Sequence, residues 1–113
     1  MKDFLLIFRS VDDQSTTPTP EQMEATMKKW MDWLGGLGQS GKLADQGNAL
    51  HATGKVVKPG HVITNGPYTE IKESVGGYSV VKAASYDEAV ELSKGCPIFD
   101  AGGSVEVREI AVM

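Results

Sequence analysis

The stretch NGPYTEIKESVGGY, residues 65–78, holds the side chains of this chain that are best suited to chemistry. Gly66-Pro67 stands near one end and Gly76-Gly77 near the other, a pattern typical of a rigid segment whose backbone can approach a ligand. The segment is predicted to form the rim of a small-molecule site built from two carboxylates, an ammonium group and two phenols: Tyr68, Glu70, Lys72, Glu73 and Tyr78. The competing interpretation is a solvated connector, because charged surface runs are usually that.

Two side chains are candidates for a general base. His51 belongs to the residue type that titrates near neutrality, and Glu73 supplies a carboxylate. In an enzyme, Arg9 or Lys72 would then stabilise the developing anion, and Arg9 is also a candidate for binding a ligand carboxylate. The alternatives are a hydrogen-bonded structural histidine and an ion pair between Arg9 and a glutamate.

No metal and no cofactor is predicted. The two histidines are His51 and His61, and a hairpin turning at Pro59-Gly60 would hold them about 23 Å apart. The single cysteine, Cys96, belongs to no metal-ligand spacing, and the helix end predicted before it disfavours a thiolate.

Length and composition bound the class of protein. With 113 residues, 41% of them hydrophobic, the chain fits one globular domain over 1–113. A net charge of −4 argues against nucleic-acid binding, which needs clustered Lys and Arg. The apolar run Phe4–Phe8 is too short for a signal-peptide core or a membrane span. We therefore expect a protein of the reducing cytoplasm with neither nucleic acid nor membrane as partner.

The first third of the chain predicts a strand followed by a helix. Phe4–Phe8 is continuously apolar, as in a buried strand. Thr19, Pro20 and Gln22 form a T-x-x-Q capping box, which marks a helix start. The apolar stripe of that helix comprises Met23, Met27, Trp30, Leu34 and Leu37. Trp30 is predicted to pack in the core, whereas Trp33 flanks the stripe and is a candidate wall of a ligand site or dimer contact.

The remaining elements follow from turn and cap signals. A G-x-G-x-x-G pattern at residues 36–41 closes the first helix rather than opening one, which indicates helix termination and not a dinucleotide site. A hairpin is predicted from strands at 48–57 and 61–64, then a strand in GGYSVVKAA. Ser85 and Glu88 predict a second capping box; the helix that follows has Tyr86, Ala89, Val90 and Ser93 on one face and Leu92 off it. Val105 and Val107 indicate a last strand.

This order, β-α-β-(β)-β-α-β, predicts an α+β fold: a ferredoxin-like antiparallel sheet with two helices on one face and one additional strand in the middle connection. The first strand would carry large apolar side chains on both faces, with Leu5 and Ile7 opposite Phe4, Leu6 and Phe8. A second copy packed on the open face would cover that surface, so we expect a homodimer.

The segments MKDFLLIF, W-x-x-W-L, NGPYTEIKESVGGYSVVKAASYDEAVELSKGCP and SVEVREI together resemble the YCII-related proteins of the DGPF-domain type over nearly the whole chain. The family pattern at residues 65–78 is D-G-P-F, then E-x-K-E, then G-G-Y. The resemblance implies a dimeric α/β barrel with a small pocket between the sheet and the loops. It also implies a range of roles, from small-molecule enzymes that use a histidine and an aspartate to accessory proteins near alternative sigma factors.

Two residues depart from that pattern. Asn65 replaces the aspartate and cannot act as a carboxylate base, and the first helix offers Trp30 and Trp33 but no histidine. Three hypotheses remain open: a small-molecule-binding module with a regulatory role, a small lyase or isomerase, and a purely structural dimer. If the segment forms a pocket rim, Tyr68 or Tyr78 should border the largest cavity with at least one of Glu70, Lys72 and Glu73. Asn65 itself is predicted to cap its turn and is included among the ligand-site candidates.

Overall fold

A computed structural model describes residues 1–11, 19–51, 53–65 and 73–112. Its strands are β1 (Lys2–Val11), β2 (Leu43–Ala49), β3 (Lys55–Lys58), β4 (Val62–Asn65), β5 (Glu73–Ala83) and β6 (Ser104–Glu109). Its helices are α1 (Pro20–Gln39) and α2 (Tyr86–Ser93), with a 3₁₀ turn at Pro97–Ala101. No helix in these described ranges is long and apolar enough to cross a membrane.

The main sheet has the strand order β2-β5-β1-β6, and every neighbouring pair is antiparallel. Together with the two helices, this order confirms the predicted α+β, ferredoxin-like fold. Strands β3 and β4 form a separate two-stranded hairpin in the middle connection. The hairpin turns at Pro59-Gly60 as predicted, with positive φ angles at Gly60 (82°) and His61 (61°).

The strand predicted at 48–57 is wrong in its bounds. The chain instead forms β2 in the main sheet, leaves it, and begins the hairpin only at Lys55. The sequence of β2, LADQGNA, has one large apolar residue, and its pairing with β5 shifts register twice, so no alternating pattern marks it. Gly47 has φ 75°, and a Cβ there would lie 1.7 Å from the Tyr78 carbonyl oxygen, so the bend at this position requires glycine. His51 follows β2 rather than lying within a hairpin strand, so the separation of about 23 Å between His51 and His61 that the predicted hairpin implied does not apply. In the described part of the chain no cluster of His, Cys, Asp and Glu could hold a metal ion.

Helix α1 begins and ends where the cap signals predicted. The Thr19 hydroxyl accepts the Gln22 backbone N–H at 3.1 Å, and the Gln22 side chain accepts the Thr19 N–H at 2.9 Å, which completes the capping box. The helix runs through Gly36 and Gly38 to a cap at Ser40, and Gly41 follows with φ 74°. The glycine-rich pattern therefore terminates a helix, as predicted.

Helix α2 begins at a modified capping box. The Ser85 hydroxyl accepts the Glu88 N–H at 3.3 Å as predicted, but the Glu88 carboxylate accepts the N–H of Ala84 rather than that of Ser85. The same carboxylate pairs with the Lys42 ammonium at 3.2 Å. Glu88 therefore joins the start of α2 to the segment that leads into β2. The bond from Lys42 and then the bond from Ala84 lower the pKa of Glu88 below its ordinary value of 4.5.

The core lies between the helices and one face of the sheet. Phe4, Leu6 and Phe8 of β1 point into it and are at most 6% exposed, whereas Leu5 and Ile7 lie on the opposite face and are partly buried. The two-faced apolar character predicted for the first strand is thus confirmed. Leu92, predicted to lie off the buried face of α2, packs against the core.

Helix α1 departs from its predicted apolar stripe. Leu34 and Leu37 are buried as predicted, but Met23 and Met27 are 60% and 62% exposed. The helix is held near its C-terminal half, where the Trp33 indole N–H donates to the Leu92 carbonyl at 3.1 Å. Its first turns are left free of core contacts, and an opening forms beneath them.

Candidate functional site

A groove of about 590 Å³ lies between α1 and the sheet. This volume is within the range of ordinary small-molecule pockets. One side comes from α1, the floor comes from β2 and β5, and β1 and the 3₁₀ turn close the inner end. The lining comprises Phe8, Ser10, Met23, Thr26, Met27, Trp30, Met31, Leu34, Gln46, Gly47, Asn48, Ala49, Gly76, Gly77, Tyr78, Ser79 and Ile98.

The helix side of the groove is a flexible apolar wall. Met23, Met27 and Met31 follow one another at helical spacing and are 60%, 62% and 50% exposed. Trp30 stands beside them and meets the Phe8 ring edge to face at 5.0 Å between centroids. Thioether side chains adapt to irregular shapes, and the indole supplies a rigid flat surface, so together they suit an apolar partner.

The floor of the groove is backbone that glycines leave uncovered. At Gly77 a Cβ would lie 2.9 Å from the Asn48 carbonyl oxygen, so this glycine is required by the close approach of β2 to β5. At Gly76 the nearest atoms to a Cβ, the Phe8 carbonyl and the Ser10 hydroxyl, are both 3.9 Å away, which is ordinary contact. Gly76 therefore leaves space at the groove that the fold does not need.

Charged side chains are missing from the lining within the described residues. The Ser79 hydroxyl already donates to the Gln46 carbonyl at 2.6 Å. The Tyr78 hydroxyl accepts a hydrogen bond from the Asn48 side-chain amide at 3.1 Å. Strand alternation places the Tyr78 ring on the other face of the sheet, beside Ile7. Tyr78 therefore borders the groove through its backbone. The hydroxyls of Ser10 and Thr26 and the side-chain amide of Gln46 are further neutral polar groups of the lining residues. This arrangement can bind an apolar molecule but holds no general base.

Arg9 lies on the opposite face of the sheet from the groove. Its guanidinium donates to the Glu106 carboxylate at 3.1 Å, and Arg108 binds the same carboxylate at 3.2 Å. These two bonds, that of Arg108 first, lower the pKa of Glu106. The ion pair named as the alternative for Arg9 is therefore present, and a ligand carboxylate would have to compete with Glu106.

Trp30 packs against the core as predicted and also forms part of the groove wall. Trp33, the candidate wall of a ligand site, lies outside the groove lining. It is fixed by its bond to Leu92 and packs against Gly95, where an added Cβ would lie 3.1 Å from the indole. Helical periodicity places both residues near the buried side but does not say which part of the helix leaves the sheet.

Several predicted site residues fall outside what the structure describes. Tyr68, Glu70 and Lys72 lie in residues 66–72, and of Glu73 only the backbone at the start of β5 is described. Asn65 is exposed at the end of β4, and His51 is exposed just after β2. Tyr78 borders the groove, but the charged side chains of the pocket-rim prediction are not described, so the prediction stays a prediction.

Cys96 is buried and unsuited to nucleophilic chemistry. Burial raises its thiol pKa to about 11, although the Ile98 backbone bond acts in the opposite direction. The predicted lack of reactivity rested on a helix dipole, whereas desolvation is the main physical cause here.

A protein-family model, the YCII-related domain, matches residues 4–113, a range that includes every groove residue and all the strands except the first two residues of β1. No curated protein matches the chain. The family match spans nearly every residue and agrees with the resemblance seen in residues 65–78 and in the first and last strands. The chain therefore belongs to the family of YCII-related domains.

Proposed function

We propose that this YCII-related domain binds a small organic molecule in the groove between α1, β2 and β5. The observation that carries the proposal is a space of about 590 Å³ lined by apolar side chains and glycine backbone, with a few neutral polar groups. Met23, Met27 and Met31 are exposed although the same helix buries Leu34 and Leu37, so they leave apolar surface that a ligand would cover. A regulatory role would follow if ligand binding draws the first turns of α1 toward the sheet.

Binding is favoured over catalysis by the chemistry of the lining. The described lining offers no carboxylate, imidazole or ammonium to move a proton, and general acid–base catalysis needs such a group within hydrogen-bond reach. The alternative, a small lyase or isomerase, would draw its base from His51 or Glu73, which lie close in sequence to the floor residues Ala49 and Gly76.

The two tryptophans allow a direct test of binding. In a Trp33→Phe variant, Trp30 is the only indole and reports on the groove; in the matched Trp30→Phe variant, the only indole lies outside the lining. Both are titrated with a library of small apolar compounds and followed by fluorescence and melting temperature. We expect saturable emission changes in the first variant for compounds that also raise the melting temperature of the parent. If no compound does either, the binding proposal is wrong.

We also propose a homodimer, in which a second copy covers the sheet face that bears Leu5 and Ile7. Its support is that the helices pack on the other face, where Phe4 and Leu6 are fully buried. Light scattering should give about twice the chain mass of 12.1 kDa. Ile7→Glu should yield a monomer, and Val90→Glu, at an exposed position of α2, should leave the dimer intact. A monomeric parent would contradict the proposal. The reducing cytoplasm remains the proposed location.

A further inference from the structure

Resting on the proposed function, we infer that the ligand of this groove is an uncharged, predominantly apolar molecule, such as an aliphatic chain or an aromatic ring with a neutral polar substituent. The inference concerns the chemical class of the ligand, which membership of the family does not specify. It depends on three features of the site: its charge, its wall and its floor.

The described lining of the groove offers no counter-ion to an ionised ligand group. Two basic side chains of the surrounding elements have carboxylate partners outside the lining: Arg9 is paired with Glu106 on the other sheet face, and Lys29 is paired with Asp100 at 3.4 Å. A ligand carboxylate or ammonium in the groove would lose water without gaining a counter-ion among the described lining residues. Burying such an unpaired charge is strongly unfavourable.

The wall of the groove matches a long or flat apolar body. Met23, Met27 and Met31 occupy successive turns of α1, so their thioethers extend along the helix for two turns. Trp30 and Phe8 meet edge to face beside them and close the groove with aromatic surface. A ligand lying along this wall would cover the exposed methionines, and each buried apolar group would favour binding.

The floor of the groove lets a ligand approach the β5 backbone and offers it neutral polar groups. Gly76 carries no side chain, and the atoms nearest to a Cβ there are 3.9 Å away, so a ligand can lie against the strand at this position. The hydroxyls of Ser10 and Thr26 are neutral and supply donors and acceptors for a hydroxyl, ether or amide. These groups would orient a neutral substituent, whereas neither bears the positive charge that a carboxylate requires.

The ligand class is tested with a neutral dye and a matched competitor series. The parent protein is loaded with Nile red, and the dye is displaced by 1-decanol, decanoate or decyltrimethylammonium, which share one chain length. We expect decanol to displace the dye at a concentration at least about tenfold below that of either ion. If decanoate or the ammonium compound competes as well as decanol, the ligand class is wrong although the groove still binds. If neither the dye nor any competitor binds, the proposed function itself fails.

A charged substitution in the wall tests whether this preference belongs to the groove. Met27→Lys adds an ammonium group to the groove wall, and the variant should fold normally because Met27 is 62% exposed. The control, Val90→Lys, adds the same group on α2, outside the lining. We expect Met27→Lys to raise the affinity for decanoate relative to decanol by about tenfold or more, and Val90→Lys to behave as the parent. Equal behaviour of the two variants would overturn the assignment to this groove.

Discussion

Two adjacent glycines should respond in opposite ways to the same added methyl group. At Gly77 a Cβ would lie 2.9 Å from the Asn48 carbonyl oxygen and 3.3 Å from the Ala49 Cα, both of which are backbone atoms that cannot rotate away. Such overpacking costs about 1 to 3 kcal/mol. At Gly76 the nearest atoms are 3.9 Å away and φ is not positive, so alanine fits and gains about 0.4 to 1 kcal/mol by restricting the unfolded chain. Gly76→Ala should therefore be more stable than Gly77→Ala by about 1.4 to 4 kcal/mol.

The Gly76 methyl should also reduce ligand binding. The added methyl would lie 3.9 Å from the Ser10 hydroxyl, and both Gly76 and Ser10 line the groove. One misplaced methyl in an apolar pocket costs about 1 kcal/mol or more in binding. Urea melts measure the stability of both variants, and Nile red titration measures the affinity of the stable one. The helical variant Gly38→Ala, with nothing within 4 Å of the added Cβ, is the control and should bind as the parent. Unchanged affinity in Gly76→Ala, or a Gly77→Ala variant as stable as the parent, would refute the geometry described here.

Three further outcomes are expected from single side chains. Glu88→Gln should lower the melting temperature at neutral pH, because it removes the charged partner of Lys42. The folded pKa of Glu88 is lowered, so the difference in melting temperature between parent and variant should be present above the ordinary pKa of 4.5 and disappear as pH falls through the folded pKa. Melts at a series of pH values would show this. Burial raises the pKa of the Cys96 thiol from 9.0 to about 11. The contribution of this thiol to the free energy of unfolding should therefore be intact below pH 9 and decline as pH rises toward 11. Between pH 9 and 11 the parent should lose stability relative to Cys96→Ala. In urea melts, Asn65→Asp should change the free energy of unfolding by less than about 1 kcal/mol, whereas Asn65→Ala should lower it by about 0.5 to 2 kcal/mol. Equal midpoints for the parent and Asn65→Ala would contradict the capping role.

Local signals in the sequence were sufficient for most of the fold. The Thr19–Gln22 capping box depends only on residues three positions apart, and the same hydrogen bonds form in the structure. The continuous apolar run of β1 identified a strand with apolar residues on both faces. Strand β2 was misplaced because its position comes from pairing with β5, and around Gly47 that pairing interrupts the alternation on which strand prediction depends.

The site was less predictable because tertiary packing decides which surfaces remain open. Periodicity identified the side of α1 that carries Met23 and Trp30, but the helix contacts the core only through its later turns, so the earlier residues line a groove instead. Arg9 was a ligand candidate because its partner Glu106 lies 97 positions away in sequence and no local pattern joins them. Gly76 and Gly77, singled out from the sequence, both line the groove; Gly77 is required by strand contact, whereas Gly76 contributes space.

Photo-cross-linking tests the central claim that the groove between α1 and the sheet binds an apolar molecule. A decanol analogue that carries an alkyl diazirine would be bound to the parent protein, irradiated, and mapped by peptide mass spectrometry. We expect adducts on the wall residues Met23, Met27 and Met31 and on the β5 floor at 76–79, with loss of labelling when excess decanol competes. Adducts concentrated on the opposite sheet face at Leu5 and Ile7, or on the hairpin at 55–65, would contradict it.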